Sequence, residues 1–377
     1  MTNTRPTASR RIAALLALCV ALAVFPQSGG AAGAPASPNP VGASEAVTAA
    51  AEPGNKISFP GNDSRPHTVG WNKHTFTVDD KPLHIFSGEI HYWRLPSPQM
   101  WRDVFQKMRA NGFNAVSLYY FWGYHQTSPE APFDFSGVKD IDLLMTMAAE
   151  EGLYIIARPG PYINAEISMG GLPAWMTNRG SHLRSAEDPR NLKESLAWLH
   201  AVNQIIKKHQ VSDGGGSLLM YQTENEMFFD SRREVNFQRE LTNQVRRDGI
   251  TVPLFHNDWA PNGKFSGTTM KKAGLDFYSY DDYPIRFNCG GLRFELRDHE
   301  SKVRRFAPDS PLFVAEGQGG AFTPWGACRG VVNVPASCRD ERGTRDDYRD
   351  PDPHARTDHQ PEPRRPADEG GALRPYQ

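Results

Sequence analysis

The sequence predicts an α/β chain folded as a parallel (β/α)8 barrel of the TIM type, incomplete because its eighth strand is missing. Three observations carry that expectation. Seven strand-length apolar segments recur along the chain, most with a helix-period segment between them. Nearly every one runs straight into carboxylates, amides or aromatics, as the mouth of a barrel built from strand ends requires. From about Cys338 the composition turns to Arg, Asp, Pro, Glu and His with hardly any large apolar residue, so no strand with a buried face can be drawn from it. A doubly wound sheet shares the same periodicity. The barrel is preferred because chemistry-bearing residues follow almost all the strands and not one switch point.

Residues 1–34 read as a secretory signal peptide. Arg5, Arg10 and Arg11 form its positive start, Ile12 to Phe25 its apolar run, and Ala32-Gly33-Ala34 its cleavage site. A membrane anchor would need roughly 20 apolar residues, and Pro26 to Gly30 ends the run before that. Arg10-Arg11 leaves the general and the twin-arginine export routes both open. Residues 35–56, rich in Ala, Pro, Ser and Gly, read as a disordered linker. Residues 57–337 form the expected barrel and residues 338–377 a disordered or out-of-pattern tail.

Within the barrel region, Trp71 to Pro82 suggests a hairpin turning at Asp79-Asp80. Leu83–Ser87 is the first expected strand, followed by a helix over Pro98–Ala110 whose Met100, Trp101, Val104, Phe105 and Met108 share one face. Asn111-Gly112 closes it. Ala115–Tyr119 is the second strand, Ile141–Glu150 a helix, and Leu153–Ala157 the third strand. A long amphipathic helix over Leu192–His209 leads to the fourth strand, Leu218–Gln222. A helix over Arg232–Asp248 precedes the fifth strand, Pro253–His256. Leu275–Ser279 is the sixth, a helix is expected over Leu292–Arg304, and Pro311–Ala315 is the seventh.

The chain has 377 residues, with 42 Lys and Arg against 43 Asp and Glu, which argues against nucleic acid as its main partner. Aromatics at 11% suit a sugar-binding cleft or simply a large core. No Gly-rich phosphate loop, G-x-S-x-G elbow or metal-spaced histidine set occurs, so no cofactor and no metal are expected. What remains at the strand ends is Glu89 and His91, Tyr119 and Trp122, Arg158, Asn164 and Glu166, Asn225 and Glu226, Asp281 and Tyr283, and Glu316. Carboxylates and amides bind sugar hydroxyls, and aromatic rings stack on the apolar faces of sugars. Glycoside hydrolysis needs two carboxyl groups flanking one bond. Glu226 and Glu316, after the fourth and seventh strands, lie on roughly opposing sides of an eight-stranded ring.

Four stretches in order, Gly88-Glu-Ile-His-Tyr-Trp-Arg-Leu-Pro96, Arg158-Pro-Gly-Pro-Tyr-Ile-Asn-Ala-Glu166, Gln222-Thr-Glu-Asn-Glu226 and Glu316-Gly-Gln-Gly-Gly-Ala-Phe-Thr-Pro-Trp-Gly326, resemble glycoside hydrolase family 35. Most of its members are exo-acting β-galactosidases, and the last stretch is most similar to the fungal-type branch. The resemblance, which runs from about Trp71 to Gly326, implies a retaining double displacement with Glu226 as acid/base and Glu316 as nucleophile. It implies that Tyr119, Asn164, Ala165, Glu166, Asn225 and Tyr283 hold a terminal β-D-galactose. Glu224 then becomes a structural carboxylate beneath the site, and Glu89 and His91 are as readily support as sugar ligands. It implies a disulfide from Cys289 to Cys328 or Cys338, with Cys328 preferred. Gly317 departs from the bulky residue usual in the family. The partner expected is a β-galactoside oligo- or polysaccharide, outside the cell, with no membrane after signal cleavage. Two other readings stay open: a non-catalytic carbohydrate-binding remnant, and a retaining β-glycosidase of other specificity.

Overall fold

The computed structural model describes residues 58–180, 182–283 and 298–318. The expected signal peptide, linker and tail lie outside them, as do Cys289, Cys328 and Cys338 and the stretch from Gly319 to Gly326. Among the described residues no helix is long and apolar enough to cross a membrane.

The chain enters through a small antiparallel sheet, β1 (Val69–Trp71), β2 (Phe76–Val78) and β3 (Lys81–Leu83). Parallel strands follow: β4 (Ser87–Ile90), β5 (Ala115–Tyr119), β6 (Tyr154–Arg158), β7 (Leu218–Gln222), β8 (Leu254–Phe255), β9 (Asn257–Asp258), β10 (Ser279–Asp282) and β11 (Val314–Gly317). They pair in chain order as a five-stranded sheet, β4-β5-β6-β7-β8, and a three-stranded sheet, β9-β10-β11. Only His256 separates β8 from β9, so the fifth expected strand is one passage of chain that serves both sheets. β5, β6 and β7 are buried at every position, as parallel strands covered on both faces should be.

Helices pack outside these strands: α1 (Pro98–Ala110), the short α2 (Trp122–His125), α3 (Ile141–Glu150), α4 (Pro189–Ile206), α5 (Arg232–Arg247), α6 (Gly267–Ala273) and α7 (Glu300–Phe306). Their starts follow from local chemistry. Asp140 accepts the Leu143 N–H to cap α3. Asp188 accepts from Arg190 and Asn191 ahead of Pro189, which begins α4 where its missing N–H costs nothing. α1 buries Trp101 and Phe105, and α5 buries Phe237, Leu241 and Val245. From the small sheet, Phe76 reaches the main core with its ring 5.0 Å from that of Phe277 and 5.3 Å from that of Phe313.

The fold is therefore α/β with parallel sheets, but among the described residues no closed barrel is formed. β4 pairs only with β5 and β11 only with β10. A cleft of about 970 Å3 opens between β4 and β11.

Four strand placements need correction. Leu83, expected to start the first parallel strand, ends the antiparallel β3, and the parallel strand runs from Ser87 to Ile90. The third runs Tyr154–Arg158. The sixth is Ser279–Asp282, not Leu275–Ser279, and the seventh is Val314–Gly317, not Pro311–Ala315. Each displacement is toward the polar, C-terminal side. Hydrophobic runs mark where a segment is buried, whereas strand limits are set by backbone pairing, which continues through Asp281 and Glu316. α6 was not expected from the sequence; α7 starts at Glu300, and the earlier part of its expected helix, residues 292–297, lies outside the described residues.

Candidate active site

The strand ends converge on two carboxyl groups. Glu316, on β11, is surrounded by donors. Its Oε1 accepts from the Tyr119 hydroxyl, from Arg158 Nη2 and, at 3.2 Å, from Asn257 Nδ2. Its Oε2 accepts from the Tyr283 hydroxyl at 2.5 Å. Burial alone would raise its pKa, but the Arg158 charge with the Tyr119 and Tyr283 hydroxyls holds the group below the usual carboxylate value.

Glu226 lies four residues beyond β7 and has fewer donors. Asn164 Nδ2 and Asn225 Nδ2 each stand 3.4 Å from Oε2. Burial, then the charge of Glu316, pushes its pKa up to about 7. Two neighbouring carboxyls are thus driven apart, one toward the acid and one toward the anion, which is the electrostatic condition for acid–nucleophile chemistry. Oxygens of Glu226, Asp281 and Glu316 all lie within 4.8 Å of one another. A guanidinium, an amide and two hydroxyls already donate to Glu316.

The predicted residues come together. Tyr119, Asn164, Ala165, Glu166, Tyr283 and Glu316 line the cleft between β4 and β11. Asn225 sits behind it, fully buried, with its Oδ1 accepting from Arg158 at 2.9 Å, Gln222 at 3.1 Å and Tyr119 at 3.4 Å. Asn164, Ala165 and Glu166 are three consecutive residues at positive φ (56°, 53° and 49°), and Glu224 and Glu226 are at 62° and 45°. Left-handed backbone costs a residue with a Cβ on the order of 1 kcal/mol. The first run is retained by Arg94, whose guanidinium donates to the Ala165 carbonyl at 2.9 Å.

Glu224 is the structural carboxylate that the sequence suggested. It is buried, Arg184 donates to it from both Nε and Nη2, and its Oε2 takes the Asn225 N–H at 2.8 Å. Arg184 in turn lies 3.8 Å from the centre of the Tyr162 ring. Glu89 accepts from His91 at 2.8 Å and from Arg158 at 3.4 Å, so these two residues support Arg158 from behind.

Two residues essential to this arrangement had no role assigned from sequence. Asn257 bridges Asp281, Glu316, Gln222 and the Glu226 backbone. Its signal was available, since His256-Asn257-Asp258 follows the apolar run of the fifth strand. Arg184 comes from an irregular stretch before α4, and no local pattern marks it.

A parallel α/β fold with paired carboxyls at its strand ends, one held as acid and one as anion, has the constellation of a glycoside hydrolase. Residues 75–339 match the family described as Glycosyl hydrolases family 35, and the chain belongs to that family. A probable beta-galactosidase C of Neosartorya fischeri is 37% identical over 269 residues, covering 68% of this chain and 27% of the relative. A probable beta-galactosidase C of Aspergillus flavus is 36% identical over 276 residues, covering 70% of this chain and 28% of the relative. A probable beta-galactosidase B of Aspergillus fumigatus is also 36% identical, over 286 residues, covering 70% and 28%. The chain thus spans little more than a quarter of the length of these relatives. Among solved structures, an exo-beta-1,4-mannosidase from Opitutaceae bacterium strain TAV5 superposes with a TM-score of 0.46 at 16% identity, over 60% of this chain and 44% of that one.

Proposed function

We propose that this chain carries the catalytic barrel of a secreted, retaining β-galactosidase that removes terminal β-D-galactose from oligo- or polysaccharides. The observation that carries the reading is the Glu226–Glu316 pair, close together and displaced in opposite directions. Retaining enzymes keep their carboxyls about 5–5.5 Å apart, whereas inverting ones leave about 6.5–9.5 Å for a water. One oxygen of Glu226 lies within 4.8 Å of one of Glu316, which supports the shorter, retaining spacing.

In this reading Glu316 attacks the anomeric carbon while Glu226 gives its proton to the glycosidic oxygen, so that the leaving sugar departs neutral. The product is a galactosyl ester on Glu316 and a carboxylate on Glu226. That carboxylate then takes a proton from water, whose oxygen attacks the anomeric carbon from the opposite face of the sugar and frees Glu316. Tyr119, Tyr283 and Arg158 stabilise Glu316 as an anion before attack and after release. Tyr119, Asn164, Ala165, Glu166, Asn225 and Tyr283 are the groups assigned to galactose.

The finer fold belongs to the same proposal. The parallel strands succeed one another in chain order as in a (β/α)8 barrel, and the cleft between β4 and β11 supports the reading that its eighth strand is missing. The amino-terminal signal makes the product extracellular.

The test is stereochemical. Proton NMR of nitrophenyl β-galactoside hydrolysis should show β-galactose first, with α appearing only by mutarotation. Initial release of α-galactose would overturn the retaining assignment, and absence of any galactose release would favour the carbohydrate-binding remnant. Faster cleavage of nitrophenyl β-glucoside than of the galactoside would favour the other specificity.

A further inference from the structure

Beyond the galactose site, the loops after β7 and β9 carry an unusual surface. Of the four exposed aromatic residues among those described, three stand together here: Phe228, Phe229 and Trp259, at 45%, 59% and 43% exposure. The Phe228 and Trp259 rings are stacked, 5.9 Å between centres and 19° from parallel. Lys264 donates to the Phe228 carbonyl and places its ammonium 5.4 Å from the Phe229 ring.

This patch is fixed to the candidate acid. The Glu226 N–H donates to Asn257 Oδ1 and the Met227 N–H to His256 Nε2, both at 3.2 Å. The two loops are therefore tied at the residues just before the aromatics, and Phe228 and Trp259 each lie two positions past a tied residue. A solvent-facing aromatic surface tied at its base in this way offers nothing to the core. It offers a stacking face to the apolar side of a pyranose, with a cation at its edge for hydroxyls.

We propose that Phe228 and Trp259, with Phe229 and Lys264 at the rim, form the binding platform for the sugar on the leaving-group side of the scissile bond. The assignment rests on reading Glu226 as the acid, because the group that receives its proton must leave past that side chain. Tyr119, Asn164, Ala165, Glu166 and Tyr283, assigned to galactose, line the cleft between β4 and β11, whereas this platform follows β7 and β9. The ligand class is a neutral hexopyranose or the next residue of a galactan-type chain, bound face-on.

The experiment compares the full chain with its Trp259→Ala and Phe228→Ala variants on lactose and on nitrophenyl β-galactoside, with galactose inhibition measured alongside. Each variant should raise KM for lactose about 3- to 10-fold, the scale of one aromatic stacking contact. Galactose inhibition, which reads the galactose site alone, should not change. An unchanged lactose KM, or galactose inhibition weakened in parallel, would overturn the platform. A wild type that cleaves neither substrate would overturn the parent reading, and the platform is then decided by binding. Methyl β-glucoside should alter tryptophan fluorescence in the wild type and not in Trp259→Phe. A response identical in both, or absent from both, would reject the platform.

Discussion

Asn257 Nδ2 donates to both carboxyl oxygens of Asp281, at 3.0 and 2.8 Å, and the same nitrogen reaches Glu316. Asp281 is thereby fixed as a third carboxyl among Glu226 and Glu316, with Arg158 the guanidinium in direct contact with Glu316. Three anions beside one cation is an unstable charge state in a buried site, so protons must be held. Burial, then the charges of Glu316 and Glu226, raises Asp281 well above the usual carboxylate value. Asp281 is therefore expected to hold its proton while Glu316 is ionised.

That state makes a clear prediction for Asp281→Asn. Replacing a neutral carboxyl by a neutral amide removes no charge, so the alkaline limb of kcat/KM should stay in place, with kcat within about tenfold. If Asp281 were ionised, the substitution would delete a negative charge beside Glu226 and move that limb to lower pH by about a unit or more. The pH–rate profile of the variant decides between the two.

The wild-type profile follows from the same two carboxyls. Activity needs Glu226 protonated and Glu316 ionised. Glu226 loses its proton around pH 7, so kcat/KM should fall as pH rises through that value. Glu316 gains a proton only below the usual carboxylate range, so the acid limb should lie under that of an ordinary glutamate. Glu226→Gln should abolish the alkaline limb. It should also cost about 10²–10⁴ in kcat/KM on lactose and far less on dinitrophenyl galactoside, whose leaving group needs no proton. Wild-type-like lactose hydrolysis by this variant would refute the assignment.

How much of this was legible depended on whether a residue announces itself locally. Leu218–Gln222 and Ala115–Tyr119 fall where the apolar runs put them, because both are buried at every position and their limits coincide with hydrophobicity. The β10 and β11 limits do not, since pairing continues through Asp281 and Glu316. Glu226 and Glu316 could be proposed because each follows an apolar run inside a recognisable motif. Asn257 does its work through four partners that become neighbours only when β7, β9, β10 and β11 stand side by side, so its role could not be read from order alone. Arg184 is further from legibility: its partner Glu224 lies 40 positions away, on another segment.

That pair is predicted to be a stability determinant and not a catalytic one. Glu224 is completely buried, and Arg184 is its ion-pair partner among the described residues. Arg184→Met removes the cation and leaves the carboxylate buried, which typically costs about 3–5 kcal/mol. Adding Glu224→Gln should recover part of that loss, because the uncompensated charge is gone. Urea unfolding of the single and double variants measures both. A single variant as stable as the wild type would show that water reaches Glu224.

The edges of the cleft make the last prediction. Phe86, Leu312 and Val314 line it and are 48%, 39% and 41% exposed, while β4 and β11 each have one paired side among the described residues. Open strand edges flanked by apolar side chains recruit other chains. The 377-residue chain, expressed as it stands, should therefore bind a hydrophobic dye and self-associate on gel filtration as concentration rises. Val314→Lys, with Leu312→Lys beside it, should reduce association, because a charge on an edge strand opposes edge-to-edge pairing. A monodisperse wild-type chain that melts cooperatively and leaves the dye unbound would mean that the cleft is covered.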